Sequence, residues 1–185
     1  EEYMMGPEVS VETLAVDGVC HVIQITDKLT TGAPHYVEMG HSQPTRHNKK
    51  IADKISEVAK AANKAIGIKN GPSHTEIIVT SEGPKIVELG ARLGGDNITT
   101  HLVPLSTGVN MVECCIKIAL AEKPDIEPKW NKGAAIRYFE QQAGKVESIE
   151  GIEEAKKIEG IKQISIVHGV GEEVTEIISS GARMG

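Results

Sequence analysis

No run of apolar residues in this chain approaches the roughly 20 that a membrane-spanning helix needs. The opening residues, Glu1-Glu2-Tyr3-Met4-Met5, lack the basic and apolar regions of a secretory leader. Basic excess is absent as well. The chain has 20 Lys and Arg against 26 Asp and Glu, a net charge of −6. That balance argues against nucleic acid as a partner, because gripping a phosphate backbone needs a basic surface. The three cysteines, Cys20, Cys114 and Cys115, show neither C-x-x-C spacing nor a histidine at metal-site spacing. An odd count with an adjacent pair reads as reduced structural thiols of a cytoplasmic protein. His35, His41, His47, His74 and His101 offer no pair at zinc spacing. Internal repeats and low-complexity tracts are missing too. The expectation is a cytoplasmic protein with no membrane or nucleic-acid partner.

What is present is an ordinary globular composition, 39% hydrophobic and 25% charged over 185 residues, enough for one domain or two small ones. The chain does not start with Met and stops at Arg183-Met184-Gly185, so a piece of a longer protein is expected. Val9 to Val16 alternates in period two, Asp17-Gly18 is a hairpin turn, and Val19 to Ile25 returns as the partner strand. Thr26 to Thr45 reads as a long loop. Ile51, Ile55, Val58, Ala59, Ala62 and Ile66 form one stripe of a helix from Asn48 to Ile66, with Asn48 as N-cap and Gly67 as stop. A hairpin is expected from Ser73 to Leu89, a short helix from Asn97 to Leu105 and a longer one from Gly108 to Ala121. After a proline-bounded linker, strands are expected at Ala134 to Phe139, Gly144 to Ile149 and Ile161 to His168, with a helix over Glu150 to Ile158. Trp130 reads as an anchor between two units.

The chemistry concentrates in His74-Thr75-Glu76-Ile77 and, across a Gly83-Pro84 turn, Ile86-Val87-Glu88-Leu89-Gly90-Ala91-Arg92-Leu93-Gly94-Gly95. Each strand brings one carboxylate to the end of the hairpin away from the turn. Glu76 and Glu88 can therefore converge on Mg²⁺, which takes one or two protein carboxylates and completes its shell with phosphates and water. Arg92 can offset charge on a transferred phosphoryl group, and Gly94-Gly95 lets backbone N–H groups approach an anion. On spacing alone, two solvated glutamates on an exposed hairpin fit equally well. His74, two residues before Glu76, shares its face.

The ordered set Glu2-Tyr3-Met4-Met5-Gly6-Pro7-Glu8-Val9-Ser10-Val11-Glu12, a DG hairpin, a helix, His74-Thr75-Glu76, and Val87-Glu88-Leu89-Gly90-Ala91-Arg92 resembles the C-terminal half of an ATP-grasp enzyme. The nearest branches are biotin carboxylases, carbamoyl-phosphate synthases and L-amino acid ligases. The resemblance implies an α+β fold: an ATP-grasp large subdomain with an antiparallel sheet and packed helices over 1–122, a linker over 123–132, and a small, truncated subdomain over 133–185 similar to the C-terminal part of biotin carboxylases. It implies ATP and Mg²⁺ (or Mn²⁺) as cofactors. By the same resemblance, Glu2 and Met4 lie where adenine is contacted, and Glu8 meets the ribose hydroxyls. Glu76 and Glu88 hold the metal, and Arg92 is catalytic beside the transferred phosphoryl group. Lys28, His74, Gly94, Gly95 and Arg137 are implied on the substrate side, Lys28 competing with a plain surface lysine and Arg137 with an ordinary strand arginine.

The implied reaction is carboxylate–amine ligation, in which an acyl phosphate forms from ATP and an amine then makes a C–N bond. The partners would be small carboxylates and amines, and relatives admit a homodimer. A bicarbonate-using carboxylase or carbamoyl-phosphate synthase, or a nucleotide-binding module that has lost catalysis, are the alternatives. Gly90 stands where the family often has an Asn metal ligand, which favours the last of these, with Asp96 or water to compensate. The phosphate-covering loop and lysines of the family's other half have no counterpart here, so this chain is not expected to be active alone.

Overall fold

A computed structural model describes residues 2–185. The chain divides into two compact units, one running to Leu29 and resuming over His41–Ile136, the other made of Thr30–Gly40 and Arg137–Gly185.

In the first unit, β1 (Glu8–Val16) turns through Asp17-Gly18, both at positive φ, into β2 (Val19–Thr30). That is the turn geometry a two-residue hairpin requires. β3 (Glu38–Gln43), α1 (Lys49–Ala65), β4 (Gly71–Thr80) and β5 (Gly83–Gly90) follow. A π-helical turn (Ile98–Leu102) runs into α2 (Val103–Thr107), and then come α3 (Met111–Ala119) and β6 (Ala134–Arg137). The six strands form one sheet in the order β5-β4-β1-β2-β3-β6. β1 is antiparallel to both neighbours, and its residues from Val9 to Ala15 are buried on both faces.

Two apolar clusters follow from strand alternation. Val9, Val11, Ile25 and Ile77 point to α1, where Ile55 and Ala59 meet them. On the opposite face Leu14 and Ile23 join Ile98, Leu102, Val103, Val109, Met111 and Cys114. A register shift opposite Glu12 and Thr13 lets Ile23 and Gln24 serve this second face together, and Gln24 donates to Ser106 of α2 at 3.2 Å. The helices cover only the Leu14 end of this face. Its other end carries Glu8, Ser10 and Glu12.

Asn48 caps α1 as expected, accepting a hydrogen bond from the Ile51 amide. Asn48→Ala is expected to cost about 1 kcal/mol, read from the midpoint of denaturant unfolding with an unchanged slope.

Three sequence expectations change. The stretch from Thr26 to Thr45 is largely strand: β2 runs on to Thr30, and residues 38–43 form β3. Its polar residues hid this, because Asp27 and Lys28 are held by partners inside the fold. Asp27 accepts from Thr45 at 2.5 Å and from the Arg46 amide at 2.9 Å. Trp130 works inside the first unit, donating to the Leu105 carbonyl at 3.0 Å with its ring over Gly108. In the second unit only Gly144–Lys145 (β7) and Glu173–Val174 (β8) pair as strands, and the helix shortens to Ile152–Ala155 (α4). Ile161 to His168 is irregular, with Ile161 and Val167 exposed. An apolar run makes a strand only where a partner strand meets it. This unit is tied by isolated backbone bonds, such as the Val167 amide to the Met184 carbonyl at 2.7 Å, and by side chains: Gln141 donates to the Thr175 and Ala182 carbonyls, and the Arg183 guanidinium stacks 3.7 Å from the Tyr138 ring centre.

Candidate active site

The end of the sheet's second face away from Leu14 is polar by register. Glu12 stands opposite Gln24 on one side and His74 on the other, Ser10 opposite Thr26 and Glu76, and Val9 opposite Asp27, which brings Lys28 beside Glu8. Glu76 in turn faces Glu88 on β5 as a direct cross-strand pair, with His74 opposite Gly90. A register shift just past Glu76 lies beside this pair, in the strand that carries Glu88. One alternation thus lines up Glu8, Glu12, His74, Glu76 and Lys28 on a single face.

These groups are linked. The Lys28 ammonium, its side chain only 4% exposed, reaches Glu8 at 2.5 Å and Glu76 at 3.0 Å. His74 lies between two carboxylates, with Nδ1 2.6 Å from Glu12 and Nε2 3.3 Å from Glu76. Burial alone would lower the His74 imidazole, but the hydrogen bonds and charges of Glu12 and Glu76 outweigh it and push it up to about 9. Glu76 is pulled down to about 2, chiefly by the hydrogen bond from His74, against burial, with the Lys28 charge adding to it. Burial raises Glu8, Lys28 opposing and Glu76 reinforcing. Lys28 is raised because its two carboxylates overcome the cost of burial. Glu76 is therefore ionised and held in place.

Glu88 and Arg92 are more open. Arg92 comes within 3.9 Å of Glu88 and donates to the Leu93 carbonyl at 3.0 Å. A Cβ at Gly90 would sit 3.2 Å from Arg92 Cγ and Nε, so the glycine leaves room for the arginine in this position. Gly94 is buried against Glu12 and His74, while Gly95 is open. Asp96 directs an oxygen to His41 Nε2 at 3.2 Å. Glu2 is exposed and pairs with Lys85 at 2.9 Å, and Met4 is half-buried. Arg137 is exposed at the end of β6 and belongs to the second unit. The register thus brings together Glu8, Lys28, His74, Glu76 and Glu88, with Arg92 at the edge.

Glu12 was not among the sequence candidates. Its signal was the Glu8-Ser10-Glu12 alternation, which reads as the wet face of a half-buried strand, yet its exposure is 0%.

Two like charges directly opposite on adjacent strands destabilise a hairpin. Glu76 against Glu88 breaks that rule in a way a cation between them would repair. Hard oxygen donors of this kind suit Mg²⁺ or Mn²⁺. Among the described residues no three His, Cys, Asp or Glu side chains come together as a cage, so most ligands to such an ion would come from phosphates and water. No single helix among the described residues is long and apolar enough to cross a membrane.

The antiparallel sheet, its helices and this polar end define an ATP-grasp fold, and the family profile of the ATP-grasp domain matches residues 1–100. The chain belongs to the ATP-grasp family. Residues 137–185 match the profile of L-amino acid ligase C-terminal domain 2. Among curated proteins, the alanine–anticapsin ligase of Bacillus subtilis (strain 168) is 28% identical over 94% of this chain and 37% of its own length. Among solved structures, an L-amino acid ligase from Bacillus licheniformis superposes with a TM-score of 0.83 at 28% identity, over 95% of this chain and 44% of that one. A biotin carboxylase from Campylobacter jejuni shares the fold, with a TM-score of 0.64 at 19% identity over 80% of this chain and 35% of that one. The chain spans less than half the length of the curated relatives it matches, 25–41%.

Proposed function

We propose that the full-length protein is an ATP- and Mg²⁺-dependent carboxylate–amine ligase acting on an amino acid. The carrying observation is the cross-strand pair of Glu76 and Glu88, braced by His74 and Lys28 and flanked by Arg92. The match of residues 137–185 to an L-amino acid ligase profile supports an amino acid over bicarbonate as the carboxylate.

In this reading Glu76 and Glu88 hold the metal, and a bound Mg²⁺ supplies charge neutralisation on the nucleotide phosphates. Glu76 stays ionised because His74 and Lys28 donate to it. Arg92 is exposed beside Glu88, so its guanidinium can reach the phosphoryl group as charge develops. Lys28 offsets the negative charge of Glu8 and Glu76 and of phosphate. Glu8 accepts from the ribose hydroxyls, and the segment from Glu2 to Met4 reads adenine through backbone groups and an adaptable methionine wall. The chain's part in transfer is positioning and charge stabilisation.

The test is release of ADP and phosphate by the full-length protein with Mg²⁺ and ATP. We expect at least tenfold stimulation by one or more amino acids, with an amide-linked product seen by mass spectrometry. Stimulation by bicarbonate with no amine would overturn the amino acid, and nucleotide binding without turnover under either mixture would overturn the ligase.

A further inference from the structure

Glu12 is the most deeply buried charged side chain of the polar face, and the chemistry proposed above does not use it. It is fully covered, one oxygen is 2.6 Å from His74 Nδ1, and Oε2 has no hydrogen-bond partner. Gly94 packs on the pair so closely that a Cβ there would lie 2.7 Å from Glu12 Oε2 and from His74 Nδ1. A carboxylate sealed in this way with an idle oxygen is costly, and an apolar side chain would fill the same space more cheaply. Such a cost is found where a site needs the group.

We propose that Glu12 is a positioning residue for the metal-binding carboxylate: it clamps His74, and His74 clamps Glu76. This rests on the reading of Glu76 as a metal ligand. The chain of contacts runs across one pair of strands, Glu12 opposite His74 and His74 two residues before Glu76, so each link is set by the β1–β4 register. Both ring nitrogens of His74 face carboxylate oxygens. The ring is therefore gripped at both nitrogens, by Glu12 across the strands and by Glu76 along its own strand. Without Glu12 the ring is free to turn about its side-chain bonds and lets go of Glu76. Gly94 closes the third side: its lack of a side chain lets the backbone seal the pair from water and hold Glu12 in one orientation. Partners that orient a metal ligand in this way are commonly worth 10–100-fold in metal affinity.

The experiment measures Mn²⁺ affinity in the presence of a non-hydrolysable ATP analogue, using the full-length protein. Glu12→Gln and His74→Gln should each weaken Mn²⁺ binding about tenfold, and the double variant should be no worse than the weaker single one, because both break the same chain. Affinity for the analogue without metal should stay within twofold. Glu12→Asp keeps the charge but withdraws the oxygen by one methylene. It should show the same loss, and it serves as the test if Glu12→Gln does not fold. Losses that add in the double variant, or wild-type metal affinity in Glu12→Asp, would overturn the proposal. Glu76→Gln separates the two readings. If it loses affinity while the Glu12 variants keep it, positioning fails alone. If none of them loses affinity, the metal reading fails and the proposal falls with it.

Discussion

Glu88→Gln in the full-length protein is expected to lower Mg²⁺-dependent ATP turnover about a thousandfold, and Glu76→Gln at least as much. The figure follows from the several kcal/mol of charge stabilisation that a bound metal supplies, at about 1.4 kcal/mol for each tenfold in rate. The change is nearly isosteric, so the loss reports charge and not packing. The same substitution carries a second, opposite expectation. Glu76 and Glu88 face each other directly, and like charges so placed cost an antiparallel pair about 0.2–1 kcal/mol. Removing one charge should leave the melting temperature of chelator-treated protein unchanged or slightly higher. Glu88 is the cleaner site for this measurement. Glu76 also accepts from His74 and Lys28, and neutralising it leaves those two cations facing an amide. Turnover that survives in Glu88→Gln would remove Glu88 from the metal site. Turnover lost together with a lower melting temperature would assign Glu88 a structural role.

Gly6→Ala is expected to be the most damaging change in the approach to β1. Gly6 has φ near +153°, a conformation that L side chains rarely adopt, and a Cβ there would collide with the Val79 carbonyl group, which is backbone and cannot swing aside. The neighbouring Val79 amide donates to the Pro7 carbonyl at 2.9 Å, so this contact docks the entry segment on β4. Strain and collision together should cost on the order of 3 kcal/mol, seen as a melting temperature lower by several degrees. Because Glu2 to Met5 hang from this dock, the KM for ATP should also rise about tenfold, while the amino-acid KM stays within twofold. A wild-type KM for ATP in a destabilised Gly6→Ala protein would detach the entry segment from nucleotide binding.

Much of this was legible in the chain wherever alternation and turn chemistry act locally. β1 with its Asp17-Gly18 turn, α1 with its Asn48 cap and the β4–β5 hairpin all follow from residues within a few positions of one another. The convergence of Glu76 and Glu88 was legible for the same reason, since a hairpin fixes its own register. The pairing of β1 with β4 was not. Glu12 and His74 are 62 positions apart in sequence, and which of them face each other depends on long-range register. The polar half of β2 was hidden in the same way, because Asp27 and Lys28 look like loop residues until their partners are in place. In the second unit the error ran the other way. Ile161 to His168 has the pattern of a strand, but no neighbouring strand meets it.

The sharing of Lys28 between Glu8 and Glu76 has a consequence for how ligands communicate. One ammonium serves both the proposed nucleoside contact and the proposed metal ligand, at 2.5 and 3.0 Å. A ligand that draws Glu8 away would shift Lys28 toward Glu76, and a cation that takes Glu76 would shift Lys28 toward Glu8. Occupancy at either end therefore alters affinity at the other, and thermodynamic reciprocity makes the two effects equal. The link between the two ends would be one buried lysine in contact with both carboxylates.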